Sequence, residues 1–241
     1  NRMVNKKRTK SSNTAKKHIQ SWKKAKKDVV PSSFQTRYTF NPRANGPLPS
    51  TMKVDMFYAQ SSSINPGLAA SGGLVLRANG LFDPEVAAGG HQPRGFDQLM
   101  ALYDHYVVIN AKITVWFANQ SGSANGQSLA TVSVRDNSSI VTNALDVMES
   151  RVNSTKILGI STGNHTDVIE LDVNPNTFLG RSKPLSDPDL KGSATADPTE
   201  QCFFHINVTP VDATQDIGST AFWYRIDYTA ILIEPKQPIQ S

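Results

Sequence analysis

One cysteine, Cys202, stands in 241 residues, so no disulfide can form within the chain. It lies in the apolar run "QCFFHINV" and reads as a buried structural thiol rather than a nucleophile. The sequence is otherwise consistent with a reducing compartment. No run approaches the roughly 18 consecutive apolar residues of a membrane-spanning helix, and the N-terminal segment has no apolar core of a secretion signal. The five N-x-Ser/Thr triplets, at Asn119, Asn137, Asn153, Asn164 and Asn207, therefore read as chance matches in a chain rich in Ser, Thr and Asn. Histidine is scarce as well. The five, at positions 18, 91, 105, 165 and 205, include no pair at zinc-ligand spacing with one another or with Cys202. There is no G-x-S-x-G, no P-loop and no dinucleotide fingerprint. These absences set aside a membrane protein, a disulfide scaffold, a zinc module, a nucleotide-dependent enzyme and a serine hydrolase. The lack of facing His/Glu ligand sets also argues against a cupin-type enzyme.

Acidic charge is missing from one place in particular. Residues 1–27 carry 11 cations (Arg2, Lys6, Lys7, Arg8, Lys10, Lys16, Lys17, Lys23, Lys24, Lys26 and Lys27) and no Asp or Glu. The remaining 14 cations and all 20 acids fall in residues 28–241, a balance of −6 under an overall charge of +5. A basic leader on a mildly acidic body points to a polyanionic partner for the leader alone. Residues 1–30 hold too few large apolar groups to offset their ordering entropy, which predicts an arm disordered in isolation. "AKKHIQSWKKAKK" can become helical on a polyanion, because Ala and Lys are good helix formers. Trp22 among the lysines is placed to stack on an unpaired base. "NKKRTK" and "KKHIQSWKKAKK" also have the form of nuclear-import signals, and the two roles are compatible. A Pro-rich linker follows over residues 31–50, expected to lie against the body through Phe34, Tyr38 and Phe40.

Beyond residue 50 the apolar period is two. "TMKVDMFYAQ" places Met52, Val54, Met56 and Tyr58 on one face, and "VVINAKITVWFAN" does so with Val107, Ile109, Ala111, Ile113, Val115 and Phe117. "SLATVSVRD" aligns Ala130, Val132 and Val134, "QCFFHINVTPV" aligns Cys202, Phe204, Ile206 and Val208, and "AFWYRIDYTAILIEP" aligns Phe222 through Leu232 in alternation. With "GGLVLRANG", "STKILGIS" and "TDVIELDV" there are eight strand candidates separated by Gly/Pro/Asn/Asp turns. Helical spacing is rare. "GFDQLMALYDHY" sets Phe96, Leu99, Met100, Tyr103 and Tyr106 three and four apart, and "SSIVTNALDVME" suggests a second helix capped by Ser138 or Ser139. The pattern predicts an all-β fold over 51–241: an eight-stranded antiparallel jelly-roll sandwich with long loops and one or two short helices, preceded by the basic N-terminal arm. An immunoglobulin-like sandwich is the competitor, but it needs only about 100 residues and short loops.

Several clusters invite a chemical reading. His91, Arg94, Asp97, Asp104 and His105 could supply an acid, a base and an anion clamp. Turn chemistry explains His91 and Asp97 equally well, and a carboxylate at the start of a helix favours the dipole. The structural reading is preferred, with no catalytic residue assigned. Asp187, Asp189 and Asp197 in "LSDPDLKGSATADP" could hold Ca²⁺ between subunits, yet Asp-Pro turns account for them without metal. No metal site and no cofactor is expected.

The stretches "RANGLFDPE" and "GGHQPRGFDQLMALYDHYVVINAKI" resemble a segment in capsid proteins of small circular single-stranded DNA viruses of the circovirus-like group. The matching positions are Arg77, Ala78, Asn79, Phe82, Asp83, Pro84, His91, Gln92, Pro93, Gly95, Phe96, Asp97, Gln98, Ala101, Leu102 and Tyr103. The likeness is close across residues 77–113 and loose over the rest. The arm is Lys-rich where arms of that group are Arg-rich. Small RNA and satellite viruses share the arm-plus-jelly-roll plan, so the genome type rests on this motif; a cellular jelly-roll binding module is the more remote alternative. The resemblance implies a T=1 icosahedral shell of about 60 copies, its arms bringing roughly 660 positive charges to the lumen. It implies packaging of single-stranded DNA, residence in the virion and, during assembly, in the host nucleus through a host import receptor. It also makes Gly89–Tyr106 a crossing loop and helix between the third and fourth strands, whose polar groups hold a subunit-facing corner in shape.

If the 11 cations of the arm engage phosphates, single-strand binding should weaken with a log–log salt slope of about −8, at roughly −0.7 per contact. Filter binding from about 50 mM to about 0.5 M salt measures it, and a slope near zero would remove the arm as a phosphate clamp.

Overall fold

The computed structural model describes residues 48–87, 90–118, 126–159 and 166–237, all within one compact unit, Arg43–Ser241. The arm residues and Phe34, Tyr38 and Phe40 of the linker lie outside the described residues. Eight strands are present: β1 Thr51–Ile64, β2 Gly72–Arg77, β3 Tyr103–Phe117, β4 Ser128–Arg135, β5 Asn153–Leu158, β6 Asp167–Val173, β7 Phe203–Pro210 and β8 Thr220–Pro235. Short helices α1 Phe96–Met100, α2 Ala144–Met148 and α3 Pro175–Phe178, and a 3₁₀ turn at Pro188–Leu190, lie in the connections.

Pairing follows one rule. β1 pairs with β8, β2 with β7, β3 with β6 and β4 with β5, every pair antiparallel. A long hairpin folded upon itself pairs its strands this way, from the tips inward. Two further antiparallel contacts, β3 with β8 and β4 with β7, close the ribbon into sheets ordered β1-β8-β3-β6 and β2-β7-β4-β5. This is the jelly roll expected from eight alternating strands. The inner faces supply one core, where Met56, Leu76, Ala111, Ile113, Val132, Phe204, Ile206, Phe222 and Ile226 are all nearly or fully inaccessible. At about 1.5–3 kcal/mol per large apolar side chain removed from water, this layer dominates the stabilisation.

β3 departs from simple alternation. Val108 lies opposite Ala230 and Asn110 opposite Thr229, so Ile109 is an inserted residue, a β-bulge. One extra residue reverses the parity. Tyr106 and Val108 face the core before the bulge, and Ala111, Ile113, Val115 and Phe117 after it. The expected single face from Val107 through Phe117 is thus corrected: Val107 and Ile109 belong to the other face. The helix expected through Tyr106 is shorter than its spacing suggested. It begins after Gly95, whose φ of 86° suits a residue without Cβ, and ends at Met100. Tyr103 already pairs with Pro235, because a ladder on the sixteen-residue β8 offers more backbone bonds than another helical turn. The cap of α2 is Asn143, whose side chain accepts from the Leu145 amide, not Ser138 or Ser139. The segment Gly89–Tyr106 joins the second and third strands, not the third and fourth. Cys202 immediately precedes β7 and is fully buried.

Deleting Ile109 should remove the bulge and leave Tyr106 and Val108 on the alternating face they share with Ala111 and Ile113. The expected loss is small, about 1 kcal/mol or less, read as a nearly unchanged urea midpoint. A loss of about 3–5 kcal/mol would mean that Ile109 is not the inserted residue and that its deletion turns Tyr106 and Val108 away from the core.

Candidate functional site

Of the residues nominated for nucleic-acid contact, Arg2, Lys6, Lys7, Arg8, Lys10, Lys16, Lys17, Trp22, Lys23, Lys24, Lys26 and Lys27 lie outside the described residues. The second nominated region, residues 77–106, is described except for Ala88 and Gly89, and it forms a polar seam at one corner of the sandwich.

The seam exists because the core is rich in tyrosine. Tyr58, Tyr103, Tyr106, Tyr224 and Tyr228 are all essentially inaccessible, and a buried phenol needs an acceptor. Tyr228 donates to the Arg77 carbonyl at 2.7 Å. Tyr58 and Tyr224 both donate to Glu85 Oε2, each at 3.4 Å. Tyr106 donates to Asp197 Oδ1 at 3.0 Å, and Tyr103 to the Pro49 carbonyl at 3.0 Å. Four of the five phenols thus depend on residues 77–85 or on Asp197. Burial raises the affinity of the Tyr106 hydroxyl for its proton well above the ordinary value, and the Asp197 charge adds to this, so Tyr106 remains a donor.

Asp197 collects the other half of the seam. Its carboxylate accepts from the Phe82 amide at 3.1 Å and the Asp83 amide at 3.4 Å, and lies 3.5 Å from Arg77 Nε. Burial pushes its carboxyl up, while the Tyr106 hydroxyl, Arg77 and the two amides pull it down. Arg77 also contacts the Asp83 carboxylate (3.1 Å), the Asp83 and Glu85 carbonyls (2.6 and 3.2 Å) and Gln201 Oε1 (3.2 Å). Asn79 ties the same loop to the far side, donating to the Glu200 carbonyl and accepting from the Cys202 amide. Gly192 exchanges two backbone bonds with Tyr106, and a Cβ there would lie 2.1 Å from the phenol ring. Only glycine allows the Lys191–Asp197 segment to lie so close.

The nominated catalytic groups have separate structural tasks. His91 contacts the Ala59 and Gln92 carbonyls and packs on Tyr58 at 4.6 Å between ring centroids. Arg94 and Asp97 are exposed, Asp97 in the first turn of α1. Asp104 lies 3.9 Å from Lys236. His105 meets Glu234 at 2.8 Å, where Lys191 Nζ holds that carboxyl below its usual range. The proposed calcium ligands also diverge. Asp187 and Asp189 face Arg181 at 3.2 and 4.0 Å, whereas Asp197 belongs to the seam. Among the described residues no group of three His, Cys, Asp or Glu is arranged to hold a metal ion. Burial pushes the Cys202 thiol up to about 12, which keeps it protonated.

Little in the order of residues marks this seam. Asp197 is more than ninety positions from Tyr106 and over a hundred from Arg77, and Glu85 had no distinguishing neighbour. The available signals were the tyrosines at core-facing strand positions and the motif residues Arg77, Asn79 and Asp83.

The class defined by this geometry is an eight-stranded jelly roll whose most elaborate polar cluster is structural. No protein-family model and no curated protein matches the chain. Solved structures that resemble it include Desmodium yellow mottle tymovirus (13% identity, 81% of this chain and 87% of that chain, TM-score 0.44) and Cocksfoot mottle virus (11%, 77% and 96%, 0.45). The BFDV capsid protein, in a decameric form, is similar at 9% identity over 76% of this chain and 99% of that chain, with a TM-score of 0.39. These likenesses are to viral structures, but at such scores they carry no weight for function.

Asp197→Ala should strand the Tyr106 hydroxyl hydrogen and the Asp83 amide, and remove one of the anions that hold Arg77, costing roughly 3–5 kcal/mol in urea unfolding. Asp197→Asn keeps an acceptor but loses the charge, and should cost about 1–2 kcal/mol. Equal and small losses for both would show that the seam does not hold the corner.

Proposed function

We propose that this chain is the shell-forming protein of a small virus. The sandwich of residues 51–241 tiles into a closed icosahedral shell, and residues 1–27 grip a single-stranded genome. The observation that carries this reading is the division of charge: 11 cations without an acid in the leader, against a balance of −6 in the rest of the chain. Such a leader neutralises phosphate, while a weakly acidic sandwich has no general affinity for nucleic acid.

Surface composition supports the tiling. Phe57 and Trp223 on the β1-β8-β3-β6 sheet, Leu145 and Met148 on α2, and Ile157 on β5 are large apolar side chains at 46–65% exposure. Such side chains are available to be buried where copies meet. Among the described residues β1 and β6 are edge strands of one sheet and β5 of the other, while residues 84–86 cover the outer edge of β2; the uncovered edges have backbone groups to offer. The seam described above supports a structural role for the motif residues, since it spends their polar groups on holding the corner. The motif resemblance favours DNA over RNA as cargo. The Lys-rich runs suit import into a host nucleus, where a DNA genome would be packaged. We assign no catalytic step, cofactor or metal to the chain.

Deletion of residues 1–27 separates the two roles. The truncated chain should form shells of the same diameter by electron microscopy, with the 260/280 nm absorbance ratio of nucleic-acid-free protein. Shells that retain full nucleic-acid content would refute the arm as the packaging element. Nuclease typing of cargo from the full chain should show sensitivity to DNase and resistance to RNase.

A further inference from the structure

Residues 136–143 leave β4 and cross the outer face of the β2-β7-β4-β5 sheet before α2 begins. Three fastenings hold this strap. His205 Nε2 lies 2.8 Å from the Asn137 carbonyl, Asn207 Nδ2 donates to the Val141 carbonyl at 3.1 Å, and the Ser71 amide donates to the Thr142 carbonyl at 3.2 Å. Ile140 lies over Gly73, where an added Cβ would come within 3.0 Å of its Cγ2. The strap is a single layer, for Ile140 itself is 53% exposed.

The underside of the strap is unusual. His205 and Asn207 are outward-facing residues of β7 and are nonetheless 1% and 2% exposed. Three buried polar atoms meet no protein partner there: His205 Nδ1, Asn207 Oδ1 and Ser133 Oγ, the last on the residue directly opposite His205 in the ladder. One other such atom occurs among the described residues, so the deficit is concentrated beneath this segment. A carbonyl oxygen can only accept, so Nε2 carries the ring proton and Nδ1 presents a bare lone pair. Adding a proton at Nδ1 would make it a charged, buried donor at an atom that meets no acceptor within hydrogen-bond distance among the described residues.

We propose that His205 is an acid-sensitive latch: protonation of its ring releases residues 136–143 from the outer face of the sheet. Of the charged groups on the neighbouring elements, Asp146 and Glu149 at α2 are exposed, and the charge that acts on the ring is Arg135. Arg135 on β4 acts against a charged ring, Arg77 on β2 is engaged by Asp83 and Asp197, and Asp136 at the head of the strap is exposed. Burial lowers the proton affinity of the ring, the Asn137 carbonyl partly offsets this, and Arg135 lowers it further. The depressed affinity belongs to the closed state, whereas an open ring titrates near its ordinary value of about 6.5. The closed strap is therefore fully favoured above that pH and loses ground as pH falls through it. The shift toward the open form is up to about tenfold per pH unit. Opening would move Ile140 and the entry to α2, which carries the exposed Leu145 and Met148, so acid would change the apolar surface that the body presents.

Hydrogen–deuterium exchange of the full chain at about pH 7.5 and about pH 5.0, corrected for intrinsic rates, tests the latch. The Ser71 amide, which donates to the Thr142 carbonyl of the closed strap, should exchange at least about tenfold faster at the lower pH, with the β3 and β8 amides unchanged. His205→Gln keeps an Nε2 donor and cannot titrate, so it should abolish the difference. Equal corrected exchange at both pH values, acceleration spread over the whole sandwich, or acceleration surviving in His205→Gln would overturn the proposal. Should that variant fail to fold, exchange of the ring Cε1 hydrogen in the native chain reads the titration directly. A ring that titrates at or above its ordinary value while the strap stays closed would equally overturn it.

Discussion

Buried phenols set the terms of this fold. Tyr58, Tyr106, Tyr224 and Tyr228 fill the sandwich interior with aromatic volume but bring hydroxyls that cannot be left without acceptors. The acceptors come from the connections and from the end of a strand: Glu85, Asp197 and the carbonyl of Arg77, the last residue of β2. The loop after β2 and the segment before β7 are therefore fixed to the core by its own chemistry. Arg77 then links them, contacting Asp83 on one side and Asp197 on the other. Two long connections become a rigid corner, and these bonds offset the conformational entropy lost in ordering them.

That corner explains why a cluster rich in His, Arg, Asp and Tyr does no chemistry in this account. Catalysis needs groups that converge on a space where a substrate can sit. Here His91 packs on Tyr58, His105 is engaged by Glu234, and Asp197 is surrounded by its own donors. The polar groups are used up in holding shape. A body that must meet copies of itself in fixed geometry needs such corners more than it needs a cleft, and flexible loops would add an ordering cost at every contact.

Much of the fold was legible because half-buried strands advertise themselves by a period of two. All eight strands fall where the alternation placed them, and Met56, Tyr58, Phe204 and Phe222 face inward as expected. The errors have particular causes. Ile109 is an insertion of one residue, and alternation carries no mark of where its phase slips. Tyr103 and Tyr106 sit at helical spacing from Met100, yet pairing with β8 overrides it; local spacing knows nothing of a partner strand over a hundred residues away. Asn143 replaced Ser138 and Ser139 as the cap of α2 because the strap uses residues 137–142 to cover β7. Of the candidate site, the charge of the arm was plain in composition. The seam was not, since its members come from segments that meet only after the ribbon has folded.

Packaging and tiling are separate tasks in this account: the leader supplies charge, and the sandwich supplies a stiff tile with apolar contact surfaces. Sedimentation velocity of the purified full-length chain, with electron microscopy of the same sample, tests that claim most directly. One fast-sedimenting species of uniform closed shells containing nucleic acid is expected. A chain that stays monomeric at every salt and protein concentration would contradict it.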